Sequence, residues 1–152
     1  MKKLILLLIP VFVLASCSKD GDSKKPQIDN LDIDSKTEEI TVQAGQSFTI
    51  NYTVSDNEGL SQIRADVHDA FDGHTHGKTS GFNKMYWEQI DTLNGLTEMT
   101  GSFIVNVPDS VTAGPYHMDV IIIDLAGNQS DIGLLDFTID NNYNAEITVS
   151  SH

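Results

Sequence analysis

A chain of 152 residues with 22 acidic side chains against nine lysines and arginines carries a formal charge of −13. So negative a surface repels nucleic-acid phosphate and anionic lipid, which excludes backbone-driven nucleic-acid binding, and it draws cations. Cys17 is the sole cysteine, so an intrachain disulfide is excluded as well.

The N-terminus reads as a processing signal. Met1-Lys2-Lys3 is basic, and the apolar run from Leu4 to Leu14 is too short to cross a bilayer as a helix. Leu14-Ala15-Ser16-Cys17 resembles the bacterial lipoprotein signal. The resemblance implies that residues 1–16 are removed and that Cys17 is lipidated. Lys19-Asp20-Gly21-Asp22 resembles the acidic tether of Bacteroidetes lipoproteins sent to the cell surface. An outer-membrane, lipid-anchored, surface-exposed location follows as an expectation, with residues 17–26 as a flexible polar tether.

Beyond the tether the pattern is that of strands. Apolar residues alternate or cluster in short β-branched runs at 28–33, 39–43, 47–54, 60–69, 85–90, 99–107, 116–124 and 132–139. In 47–54, Phe48, Ile50, Tyr52 and Val54 share one face. In 60–69, Ile63, Ala65 and Val67 do so, and in 116–124 Tyr116, Met118, Val120 and Ile122. The segment 85–90 is short and is expected at a sheet edge. Turns fall at Ala44-Gly45, at Asp56-Asn57-Glu58-Gly59 and at Gly127-Asn128. Eight short strands with such spacing predict one all-β domain over 27–140, an antiparallel sandwich of seven to eight strands, with 141–152 as a tail.

Val54-Ser55-Asp56-Asn57-Glu58-Gly59-Leu60 resembles the B–C region of bacterial Ig-like domains. Ala113-Gly114-Pro115-Tyr116, followed by Asp124-Leu125-Ala126-Gly127-Asn128, resembles their F strand and F–G turn. Tyr116 is placed like a tyrosine corner. His68-Asp69, Asp72-Gly73-His74 and His76-Gly77-Lys78 together resemble the His-Asp…Asp-Gly-His-x-His-Gly-Lys loop of a family of small Bacteroidetes lipoproteins that carry an Ig-like domain. That resemblance implies the fold and leaves the function open.

Three of the five histidines, His68, His74 and His76, fall within nine residues. If 60–69 and 116–124 are the neighbouring C and F strands of an Ig-like sheet, alternation turns Arg64, Asp66 and His68 outward, together with His117 and Asp119. Adjacent strands lie about 4.8 Å apart, so two imidazoles on them can reach one ion. The segment 69–84 is long and aperiodic and carries Gly73, Gly77 and Gly81. A return over the C–F face would bring His74 and His76 above His68 and His117.

Neutral imidazole suits zinc and copper. His68, His74, His76 and His117 are therefore the expected metal ligands, zinc first and copper second. Asp66, Asp69, Asp72 and Asp119 are placed to orient them or to replace one of them. The functional expectation is a non-enzymatic surface lipoprotein that captures metal, with delivery to an outer-membrane transporter as one use. The alternative is an Ig-like adhesion or spacer module without a transition metal, whose acidic turns at Asp56-Asn57-Glu58 and at Asp124 and Asn128 would hold calcium. No Walker spacing or hydrolase triad is found. Tyr86 and Trp87 are expected to pack under the loop or cap the sandwich. Lys78 and Lys84 are expected to be solvated.

Overall fold

A computed structural model describes residues 21–71 and 83–141. They form eight strands: β1 (Gln27–Ile33), β2 (Ile40–Gln43), β3 (Ser47–Ser55), β4 (Leu60–Asp69), β5 (Trp87–Thr92), β6 (Glu98–Asn106), β7 (Gly114–Asp124) and β8 (Gly133–Asp140). A three-stranded sheet, β1-β3-β6, faces a five-stranded sheet, β2-β8-β7-β4-β5. Every pairing is antiparallel except that of β2 with β8. This is an Ig-like sandwich whose first two strands are divided between the sheets.

The alternation read from the sequence is the alternation observed. Phe48, Ile50, Tyr52 and Val54 of β3 are buried, as are Ile63, Ala65 and Val67 of β4 and Tyr116, Met118, Val120 and Ile122 of β7. Side chains from the two sheets interdigitate. The Phe48 and Phe137 rings lie 5.3 Å apart between centroids, and the Trp87 and Phe103 rings meet edge-on at 5.9 Å. Each such side chain contributes roughly 1.5–3 kcal/mol on burial, which decides the register: a one-residue slip of β4 would expose Ile63, Ala65 and Val67 together.

β5 begins two residues later than the sequence pattern suggests. Asn83 donates from Nδ2 to the Ser110 carbonyl at 2.8 Å, its backbone N–H donates to Thr112 Oγ1 at 3.0 Å and its carbonyl accepts from the Thr112 N–H at 2.9 Å, and Met85 is buried at the core. The chain is therefore held in a loop until Trp87. Trp87 packs against the core as expected, whereas Tyr86 is 65% exposed and does not.

The hydroxyl of Tyr116 donates to the carbonyl of Thr112 at 2.9 Å, closing the tyrosine corner at the start of β7. Tyr116→Phe keeps the ring and orphans that carbonyl. It should lower stability by about 1 kcal/mol, read as a shift in the urea midpoint without a change in slope.

The N-terminal segment is engaged earlier than a free tether would be. Asp22 accepts from Asn57 Nδ2 at 3.0 Å, and Lys25 pairs with Asp131 at 2.6 Å.

Candidate metal centre

The outer face of the larger sheet holds the polar side chains that the pleat turns away from the core. β4 and β7 are adjacent, and His68 stands directly opposite His117 in their register. Their rings are 5.7 Å apart between centroids and inclined by 59°. Next along the strands, Asp66 stands opposite Asp119, with Glu88 of β5 beyond Asp66. Asp136 of β8 lies opposite His117.

Each imidazole has its Nδ1 engaged by a carboxylate. His68 Nδ1 is 3.0 Å from Asp66 Oδ1, and His117 Nδ1 is 2.5 Å from Asp136 Oδ1. A ring that donates from Nδ1 keeps its lone pair on Nε2, the pattern in which metal-ligating histidines are commonly held. Asp66 is only 7% exposed and is itself braced, because Arg64 Nη2 donates to its Oδ2 at 3.1 Å while Arg64 Nε lies 2.7 Å from Glu88.

Asp119 is the least satisfied member. Its Oδ1 is buried and has no hydrogen-bond partner among the described residues. Burial pushes its carboxyl above the usual carboxylate range, and the neighbouring Asp66 charge pushes it further. The positive sides of His68, His117 and Arg64 pull the other way. Ionised Asp119 thus costs the folded state free energy. The penalty is absent below the unfolded carboxyl's range and complete above the raised folded value, so it is present at neutral pH. Asp119→Asn should accordingly raise the melting temperature of the metal-free protein at pH 7 by about 2–4 °C and change it little at pH 3.

Asp66, His68 and Asp119 each offer a ligand atom within 4.8 Å of the other two. Ligands about 2.0–2.1 Å from a tetrahedral ion lie roughly 3.3 Å apart, so small side-chain rotations would close the set. His117 flanks this set and is 8% exposed. Of the residues expected at the centre, His68, His117, Asp66 and Asp119 thus share one patch. Asp69, also expected there, turns elsewhere: its Oδ2 pairs with Lys84 Nζ at 2.6 Å, and Lys84 lies 5.6 Å over the Phe71 ring. Lys84 is therefore mostly buried, not a solvated charge, because the end of β4 supplies it with a carboxylate and an aromatic face. His74, His76, Asp72, Lys78 and Cys17 lie outside the described residues. Asp136 was not singled out from the sequence. The signal was its place in the alternation of 132–139, two residues from Leu134 on the outward side.

At the opposite end of the sandwich, Asp22, Asp56 and Asp124 also bring ligand atoms within 4.8 Å of one another. The hydrogen bonds of Asp56 and Asp124 are those of turns: Asp56 Oδ2 accepts from the backbone of Glu58 and Gly59, and Asp124 accepts from Asn128.

A family model described as "Domain of unknown function (DUF4625)" matches residues 15–136. The chain belongs to this family. No curated protein is significantly similar to the chain in sequence. Among solved structures, a DUF4466 family protein from Parabacteroides merdae is similar with a TM-score of 0.50 at 8% identity, over 76% of this chain and 45% of that one. The chain thus spans less than half the length of that protein. A Niemann-Pick type C2 protein from the Japanese carpenter ant gives a TM-score of 0.50 at 9% identity, over 78% of this chain and 96% of that one. An AA10 lytic polysaccharide monooxygenase from Streptomyces lividans gives 0.44 at 14% identity, over 66% and 58%. At these identities the likeness concerns the β-sandwich, and the functions of such neighbours are mixed.

Proposed function

We propose that this family member is a lipid-anchored outer-membrane protein, exposed at the cell surface, that binds a transition metal on the outer face of its larger sheet. Zinc is the first choice and copper the second. The observation that carries the reading is the pairing of His68 with His117. Each ring is held at Nδ1 by its own carboxylate, and both stand near the buried Oδ1 of Asp119, which has no hydrogen-bond partner among the described residues. A cation would neutralise the cost of burying Asp119 and find imidazole nitrogens beside it.

In this reading His68 and Asp119 ligate, Asp66 orients His68 or supplies an oxygen, and Asp136 orients His117. His74 and His76 complete the shell: His74 is three residues beyond Phe71, a span of at most about 10 Å of extended chain, and the Phe71 ring touches that of Tyr116, next to His117. The anchor rests on Leu14-Ala15-Ser16-Cys17. Capture of metal for an outer-membrane transporter is the use proposed for the site.

Titration of the metal-free protein with Zn²⁺ and Cu²⁺ by calorimetry, with metal content measured by mass spectrometry, tests the proposal. One equivalent of bound zinc is expected, with affinity falling below pH ~6.5, where free imidazole takes a proton. A His74→Ala, His76→Ala variant that binds as tightly as the parent removes those two residues from the site. A melting shift produced by Ca²⁺ and not by Zn²⁺ would replace the reading with the adhesion or spacer module.

A further inference from the structure

A cleft of about 440 Å³ opens beside His117, away from the Asp66–Asp119 side. Its walls include Glu39 ahead of β2, Ala70 and Pro115 at the ends of β4 and β7, and Asp136 and Thr138 of β8. Two carboxylates line it, and no lysine or arginine does so among the described residues. Asp136 is 74% exposed and spends Oδ1 on His117, leaving Oδ2 able to accept. Glu39 is exposed and sits at φ 50, in the left-handed region that a glutamate seldom occupies. The exposed ring of Pro115 and the methyl-bearing Ala70 and Thr138 supply apolar wall between the charges.

We propose that this cleft receives an arginine side chain of a partner protein. The argument is one of charge and shape. A guanidinium is planar, weakly hydrated and presents five donors as a fork, so two separated carboxylates can share it while its methylene stem lies on Pro115 and Ala70. An ammonium is more strongly hydrated and offers no fork. Free arginine brings its own α-carboxylate toward Glu39 and Asp136, which favours a residue within a chain. The net charge of −13 steers basic partners toward this surface from a distance. Binding does not require the metal.

The test is a titration of the metal-free, isotope-labelled protein with the blocked peptide acetyl-Gly-Arg-Gly-amide, followed by amide chemical shifts. Shifts are expected at Glu39, Asp136 and Thr138, saturating in the millimolar range and weakening several-fold between 50 and 500 mM salt. Glu39→Gln should weaken binding about 3-fold, and Glu39→Gln with Asp136→Asn at least about 10-fold, as suits exposed charge pairs. Thr138→Arg should block the site by filling it from within the chain. The proposal is overturned if acetyl-Gly-Gln-Gly-amide binds equally well, if Glu39→Gln binds unchanged, or if no shift occurs up to about 20 mM peptide. None of these outcomes depends on whether zinc binds, so failure here is distinguishable from failure of the metal reading.

Discussion

His68→Ala should abolish the zinc-induced rise in melting temperature. At a free zinc concentration 100 times the dissociation constant, a site present only in the folded state stabilises it by about 2.7 kcal/mol. For a domain of this size that is roughly 10 °C. His68 supplies the only imidazole of the compact Asp66–His68–Asp119 set, so without it that set keeps two carboxylates, a poor match for zinc or copper, and the proposed centre loses its imidazole on β4. The loss of affinity should exceed 100-fold and the shift should vanish. Substitution of orienting groups costs about 10–100-fold, so Asp136→Asn should retain a reduced shift. His68→Ala also deprives Asp66 of a bond, and Asp66 is almost fully buried. His68→Gln supplies the control, because an amide can still donate to Asp66 while offering no comparable ligand. If His68→Gln keeps the full zinc shift, the centre is not where the two strands place it.

The eight strands were legible because each buries one face. Phe48, Ile50, Tyr52 and Val54 can sit inward in only one register, and that register fixes Thr49, Asn51 and Thr53 outward. The same logic puts His68 and His117 on one outer face, since Val67 and Met118 on one side force their successors and predecessors to the other, and the pairing of β4 with β7 sets them directly opposite. Polar partnerships were less legible. Proximity in sequence to His68 suggests Asp69 as a metal-orienting acid, yet alternation sets it on the other side of the strand from Asp66 and His68. There Lys84 pairs with it while lying over the Phe71 ring. Asp136 was missed for the complementary reason: it lies far from the histidines in sequence, and only the adjacency of β7 and β8 brings it to His117. The fate of Met85 depended on bonds from Asn83 to Ser110 and Thr112, which no periodicity encodes.

Gly114→Ala should destabilise the domain by about 2–4 kcal/mol and weaken zinc binding as well, although Gly114 is no ligand. Two costs combine. Gly114 has φ 144, a conformation that side-chain-bearing residues rarely adopt. A Cβ there would lie 2.5 Å from Cε1 of Phe71 and 3.2 Å from its Cδ1. That ring cannot swing aside freely. It meets Tyr116 edge-on with centroids 5.3 Å apart, and Lys84 lies over it while pairing with Asp69. Overpacking a site so enclosed costs roughly 1–3 kcal/mol by itself. Phe71 lies three residues beyond His68, and the backbone N–H of Ala70 between them is held by the Pro115 carbonyl at 3.0 Å. A displaced Phe71 therefore pulls on the end of β4 that carries His68 and on the β7 end that carries His117. The double variant Gly114→Ala, Phe71→Leu separates the terms: the smaller side chain should recover the overpacking part, leaving the backbone cost. Chemical denaturation of the four proteins closes the cycle. Additive losses would mean that Gly114 and Phe71 do not share this contact, and the glycine would then be required by its φ angle alone.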